Sequence, residues 1–442
     1  VSKYLYPFFV LLALLAAAYA RADSVLTLET AVTEGLERSP DLQRARAVVE
    51  ESRWRHTEML GSGFLPKISG GASHYFDVTK YQLTDIFFGG SEFQIPGIFP
   101  NNELHVGAVL PLFDGLSNVR RLGAASLSEE ASEQELSHAE FELAEQIQLS
   151  FYQALAAADL ELVAAQNVRT LEDHMREVEV QHSGGTATSY DTLRVSVQLN
   201  EARSDSQDAT DTAALARKKL TQLLGLEQDD RKLQGTIPTP DESRVKSIEL
   251  TAVPSERADL RALDLRAQAA EREHGAEGAW WVPSLSLAGQ FSYYDLLLYT
   301  GTSTVDNHNF QTAYSLGVVL SWNLFDGGVS FSRAKESDAR KLQAEKSAEA
   351  AKLQVPFDFA YWKRRYVSNS YHFKSKQLDV KRSQESVRLA KDEARAGTRT
   401  SSEVLDAELD LFRSQAGVVN AQVNAAEALI RLELALGRRI GS

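Results

Sequence analysis

The 442-residue chain contains no cysteine. That absence excludes a thiolate metal site, a disulfide framework and a lipidated N-terminal cysteine. Positive charge is also short: 47 Lys and Arg stand against 61 Asp and Glu, a formal charge of −14. A nucleic-acid partner is excluded on that ground, because phosphate binding wants a basic stripe. After the first twenty-two residues no stretch approaches the ~20 apolar residues of a membrane helix. Spanning helices are excluded there; spanning strands are not. Proline and strong turn signals are missing from Asn118 to about His182, where Gly123 is the only glycine.

What is there begins with residues 1–22, which read as an export signal. Lys3 supplies the positive start, Phe8 to Ala18 the apolar run, and Ala18-Tyr19-Ala20 or Ala20-Arg21-Ala22 the small-x-small cleavage site. An uncleaved anchor helix is the competing reading, and the shortness of the apolar run opposes it.

The rest of the chain carries one pattern twice. Leu112-Phe113-Asp114-Gly115 returns as Leu324-Phe325-Asp326-Gly327, 212 residues later. Upstream, Asp41-Leu42 matches Asp259-Leu260, and Leu65-Pro66-Lys67-Ile68-Ser69 matches Val282-Pro283-Ser284-Leu285-Ser286. Downstream, Gly185-Thr186-Ala187-Thr188-Ser189 matches Gly397-Thr398-Arg399-Thr400-Ser401, and Gly225 matches Gly437. Landmarks in one order at nearly one spacing predict two copies of one unit. The first copy covers 23–235, with a hairpin at 64–113 and long helices over 118–225. The second covers 236–442, with a hairpin at 281–325 and long helices over 329–436.

Each copy opens on a helix. In the first, Leu26 to His56 reads as helix, restarted at Ser39-Pro40 and closed by Gly61 and Gly63. Strand from Phe64 to Phe76 follows, then a long loop from Asp77 to Asn102, unusual inside a compact domain and usual for the outward loops of a membrane barrel. Leu104, Val106, Ala108, Leu110 and Leu112 alternate with a mixed set. In the second copy Leu285, Leu287, Gly289, Phe291 and Tyr293 do so, as do Tyr314, Leu316, Val318, Leu320, Trp322 and Leu324. These runs approach the 9–11 residues of a tilted membrane strand. Trp280, Trp281, Tyr293, Tyr294, Tyr299, Tyr314 and Trp322 cluster there, as an interfacial girdle would. An ordinary half-buried soluble hairpin gives a similar alternation.

The long helices, about 65 residues each, would extend on the order of 100 Å. Leu155, Leu160, Leu162 and Val163, and Leu405, Leu409, Leu411, Val418 and Val419, form narrow coiled-coil stripes. Pro356 predicts a kink in the second. Residues 226–254 form the joint between copies, with a short element around Arg244 to Leu250. The fold class is therefore mainly α with membrane β: a long coiled-coil barrel and four strands per chain. An open four-stranded sheet is forbidden in lipid, so the strands must close with other copies. Two chains give 8 strands and three give 12.

In these residues the chain resembles the TolC-like outer-membrane channel-tunnel family, from Leu26 to Gly437. The resemblance implies a homotrimer, a 12-stranded barrel in outer-membrane lipid and a helical tunnel in the periplasm of a Gram-negative bacterium. It implies a passive exit duct for tripartite efflux or type I secretion, docked on a periplasmic adaptor driven by an inner-membrane transporter. No cofactor is implied. Gly185, Thr186, Gly397, Thr398 and Thr400 match the adaptor-docking tips. Glu403 and Asp406 match the acids of the pore constriction. Arg399 matches the tip arginine that ties the closed state, and Asp191 its acidic partner. Ala394 departs from the pattern, where studied members carry a tyrosine. These charges would otherwise be a solvated helix face.

Enzymatic readings find little support. Glu135 with His138 and Glu271 with His274 have the spacing of di-iron bundles, but they sit at non-equivalent places in the two copies. His182-Ser183-Gly184-Gly185-Thr186 lacks the lysine and the strand of a phosphate loop. The non-enzymatic alternative to a duct is a periplasmic coiled-coil scaffold or adaptor, which the aromatic clustering opposes.

Overall fold

The computed structural model describes residues 25–74, 83–88, 91–96, 100–250, 257–296, 298–299, 304–305 and 310–440. The expected export signal lies outside them. In chain order the elements are α1 (Leu28–Arg38), α2 (Pro40–Phe64), β1 (Lys67–His74), β2 (Leu83–Phe88), β3 (Ser91–Pro96), β4 (Pro100–Phe113), α3 (Ser117–Ser183) and α4 (Ser189–Leu223). There follow α5 (Ser243–Lys246), α6 (Ala258–Glu277), β5 (Ser284–Leu296), β6 (Leu298–Tyr299), β7 (Thr304–Val305), β8 (Phe310–Ser321), α7 (Val329–Arg395) and α8 (Ser401–Leu436).

Two expectations need correction. Helix α2 runs to Phe64, through Gly61 and Gly63. A glycine costs a helix only ~1 kcal/mol, too little to stop one whose end is tied: Asn118 Nδ2 donates to Gly63 O at 3.3 Å. The stretch Asp77 to Asn102 is not all loop, since β2 and β3 pair within it and β4 begins at Pro100. Pro356 lies inside α7, one element of 67 residues.

The chain divides into two compact units. Among the described residues, one comprises those within Val48–Glu133 and Ala262–Ala348; the other comprises those from Val25 to Ala47, within Gln134–Arg261 and from Glu349 to Ile440. The first contains the main sheet, antiparallel in the order β1-β4-β5-β8. Its register sorts the side chains, because directly paired residues share a face. Ala72, Leu104, Tyr293 and Thr312 form one row, and Gly70, Val106, Phe291 and Tyr314 the next. Ile68, Ala108, Gly289 and Leu316 follow, then Leu110, Leu287 and Val318. The opposite face has Ser69, Gly107, Gln290 and Ser315 in one row and Gly71, His105, Ser292 and Ala313 in another.

The second unit is helical. Its core gathers Leu26, Leu42, Ile147, Phe151, Leu220, Leu224 and Ile430, all at most 2 % exposed. Each such aliphatic or aromatic side chain contributes roughly 1.5–3 kcal/mol on burial. Leu26 joins this core through a backbone bridge to Leu233, in the segment after α4.

Candidate functional site

Three places carry the residues singled out by sequence: the strand-to-helix junctions, the sheet surface and the two helical tips.

At the junctions an aspartate caps each long helix. Asp114 Oδ2 accepts from the backbone N–H of Asn118 at 2.7 Å. Asp326 Oδ2 accepts from the backbone N–H of Ser330 at 3.0 Å and from its hydroxyl at 2.6 Å. Free N–H groups at a helix start require such an acceptor. Gly115 and Gly327 both take the left-handed conformation, with φ of 71° and 73°. The start of α3 is also fastened to α6, Ser117 Oγ donating to Ala276 O at 3.0 Å. Phe113 and Phe325 remain exposed.

The apolar face of the sheet is open. Tyr314, Leu316, Val318 and Leu320 are 87, 77, 62 and 66 % exposed. Among the described residues, the flanking strands β1 and β8 each have one long edge unpaired in the sheet. Trp322 Nε1 donates to Trp281 O at 3.0 Å, holding the end of this aromatic group together.

The two tips share a scaffold. In the first, the N–H and hydroxyl of Thr186 both donate to Gln181 O, at 2.8 and 3.0 Å. In the second, the same groups of Thr398 donate to Glu393 O, both at 3.0 Å. Gly185 and Gly397 have φ of 77° and 75°. A side chain at either would meet no neighbour within 4 Å, so conformation and not space demands glycine. Thr188 and Thr400 then cap α4 and α8 with reciprocal capping boxes whose third residues are Asp191 and Glu403. Asp191 Oδ2 accepts from the Thr188 N–H at 2.9 Å and hydroxyl at 2.7 Å. Glu403 Oε2 accepts from the same groups of Thr400, both at 2.9 Å. These bonds to Thr188 and Thr400 hold both carboxyls below the usual carboxylate range.

The tips differ in how charge is paired. Arg399 is not joined to Asp191 within the chain. Its Nε lies 2.7 Å from Glu393 Oε2, across its own turn. Asp191 is engaged by its cap and by Ser402 Oγ at 3.5 Å. An ionic link between the two hairpins that sequence did not reveal joins Arg194 Nη2 to Asp406 Oδ1, at 2.7 Å. A signal existed, because Arg194 and Asp406 are 212 residues apart and hence at matching places of the two hairpins. Ala394 packs with Ala390, Val404 and Ala407. The two Glu-x-x-His spacings lead elsewhere: His138 lies 3.8 Å from Glu142, and His274 3.8 Å from Asp338.

An antiparallel sheet with an open apolar face, joined to helices of 67 residues that turn at glycine tips, defines a class of channel fold. Solved structures share it. The outer-membrane channel OprN superposes with a TM-score of 0.72 at 21 % identity, over 93 % of this chain and 89 % of that one. The outer membrane protein VceC of Vibrio cholerae does so with a TM-score of 0.75 at 17 % identity, over 93 % and 96 %. Outer membrane protein OprJ of Pseudomonas aeruginosa is 25 % identical over 355 residues, 76 % of this chain and 70 % of that protein. The outer membrane efflux protein family matches residues 13–226 and 252–438. The chain belongs to that family of TolC-like channels, whose members are conduits and not enzymes.

Proposed function

We propose that three copies of the chain close their sheets into one 12-stranded barrel in the outer membrane of a Gram-negative bacterium. The helices continue into the periplasm as a tunnel, and the assembly is a passive exit duct of a tripartite efflux pump or a type I secretion system. The observation that carries this reading is the sheet, with an apolar face, a polar face and two unpaired edges. In lipid an open edge leaves N–H and C=O groups without partners. Closure with further copies removes both edges, sets the apolar face toward lipid and leaves the polar face to a watery lumen.

The chain is read as two structural repeats, 23–235 and 236–442, each supplying two barrel strands and one tip. The tips at Gly185-Thr186 and Gly397-Thr398 with Thr400 meet the periplasmic adaptor, which an inner-membrane transporter drives. Copies of Glu403 and Asp406 around the axis ring the mouth with carboxylates, favouring cations. An Asp191–Arg399 latch then joins neighbouring copies, since each residue has another partner within its own chain.

The test is conductance of the purified mature chain in planar bilayers. Stepwise, cation-selective currents are expected, with larger steps for Asp191→Ala combined with Arg399→Ala. Absence of current would sink the duct; unchanged step size in the double variant would remove the latch alone.

A further inference from the structure

Behind the tips, α3, α7 and α8 bury a polar cluster that the tip residues themselves do not include. His174 of α3 and Glu408 of α8 are 4 and 3 % exposed. Ser401 Oγ, at the start of α8, lies 3.0 Å from His174 Nε2. Lys391 Nζ of α7 lies 2.7 Å from Glu408 Oε1. The other carboxylate oxygen, Oε2, faces His174 Nδ1 at 3.6 Å, beyond hydrogen-bond range. Among the described residues, neither of those two facing atoms has a hydrogen-bond partner. Leu171 and Val178 flank His174 on the same face of α3, one turn to either side. They pack with Val195 and Leu199 of α4 and Leu405 of α8.

The cluster is built for a neutral imidazole. The charges that act on the ring are Glu408 from α8, Lys391 from α7 and Glu177 from α3 itself, while α4 brings the apolar Val195 and Leu199. Burial is the largest influence and holds the ring below the usual histidine range, with Lys391 pushing the same way and the two carboxylates opposing. A proton on Nδ1 would create a second cation beside a carboxylate that the half-exposed Lys391 already holds, on a ring that is itself buried.

We propose that His174 is a proton-operated release of the tips: the neutral ring packs α3 against α7 and α8, and the protonated ring drives them apart. This rests on the reading of the tips as the gate of a duct and adds what would regulate it. The sign follows from linkage. A ring that binds its proton more weakly when packed favours, in acid, the arrangement where it is solvated. The packed tip is at full strength above about pH 6.5, the free histidine value, and weakens as pH falls below it. The Glu403 and Asp191 carboxyls cannot mimic this, because both are held below the usual carboxylate range and stay charged there.

The chain's lack of native cysteine makes the test simple. Spin labels at Thr186→Cys and Thr398→Cys report the distance between the tips in the full chain, diluted with unlabelled copies. Distances and bilayer currents are measured at pH 8 and pH 5. In the parent, acid is expected to broaden and lengthen the distance distribution and to raise open-channel occupancy about two-fold or more. His174→Gln should hold the distribution narrow at both pH values. Glu408→Gln should move the parental response to lower pH, since it removes the carboxylate that helps the ring take a proton. A parental distribution that stays unchanged or narrows in acid overturns the release, as does an undiminished acid response in His174→Gln. Currents separate the two readings. An acid-responsive distance without any current keeps the release and removes the duct; current with distances indifferent to pH does the reverse.

Discussion

Near its start α8 buries Glu408, with the Lys391 ammonium 2.7 Å from one oxygen and the His174 ring 3.6 Å from the other. Near its end it buries Glu433, whose Oε1 accepts the backbone N–H of Ile440 at 2.7 Å. Beside Glu433 stands Glu145, fully buried, with Arg439 Nε 2.9 Å from its Oε1. At the tip end, then, one ammonium and a neutral imidazole face one carboxylate; at the other end the guanidinium of Arg439 pairs with Glu145 while Glu433 accepts from a backbone N–H. Burial pushes Glu433 up to about 7, with the Glu145 charge adding to it, and burial also raises Glu145. Acid therefore relieves the buried carboxylates at the end that holds Arg439, whereas under the proposed release it loosens the end that forms the tip. One helix, with the same residue type buried at each end, differs at its two ends in which group burial keeps neutral: an imidazole beside Glu408 at one, the carboxyl of Glu433 itself at the other.

The largest effect should come from removing the Arg439 guanidinium. Arg439→Met leaves Glu145 buried without its partner, a loss of roughly 1–3 kcal/mol, since the carboxylate is buried while the guanidinium is partly exposed. Thermal unfolding in detergent should show it in full at pH 8 and less of it at pH 5, because burial favours the neutral Glu145 carboxyl. Equal losses at both would erase the difference between the two ends. Glu433→Gln comes next. A carboxyl raised by burial contributes most below its free value near 4.5 and loses that contribution as pH rises through about 7. The glutamine variant should match the parent at pH 5 and exceed it by roughly 1–2 kcal/mol at pH 8. A variant less stable at pH 8 would contradict the assignment of strain to that carboxylate.

Smaller effects probe the tip end. Thr188→Ala and Thr400→Ala each remove a cap and should each cost about 1 kcal/mol, read as faster hydrogen exchange in the first turns of α4 and α8. Markedly unequal costs would mean that the two tips are not one scaffold. Smallest of all is Arg194→Ala, below about 1 kcal/mol because both partners are substantially exposed. Its effect on the unfolding midpoint should fade at 1 M salt, whereas that of Arg439→Met should persist; a salt-resistant Arg194 would need a different explanation.

Much of this was legible in the sequence. The bounds of α7 and α8, Val329–Arg395 and Ser401–Leu436, follow from glycine, threonine and helix-forming composition alone. So does the sorting of the sheet, because alternation fixes faces once strands pair. Other features were not legible, for identifiable reasons. A capping carboxylate and a gating carboxylate look alike in sequence, so Glu403 and Asp191 showed no sign of their threonine partners beyond the spacing of the capping box. Arg399 found Glu393 because the turn folds back on itself, a contact set by backbone geometry. Burial of Glu145, Glu408 and Glu433 could not be read from helices rich in glutamate on every face. The hairpin of β2 and β3 lies in a segment whose Gly, Pro and aromatic content suggests loop more strongly than strand.

The central claim is that β1 of one copy pairs with β8 of the next until three copies close. In a chain without native cysteine this can be measured by disulfide cross-linking. Cysteines at Ile68, Gly70 or Ala72 are combined in turn with cysteines at Tyr314, Leu316 or Val318, and the outer-membrane fraction is oxidised and run in denaturant. At least one combination should give a ladder of one, two and three chains that stops at three. A ladder running past three, or no product above one chain in any combination, would contradict the account.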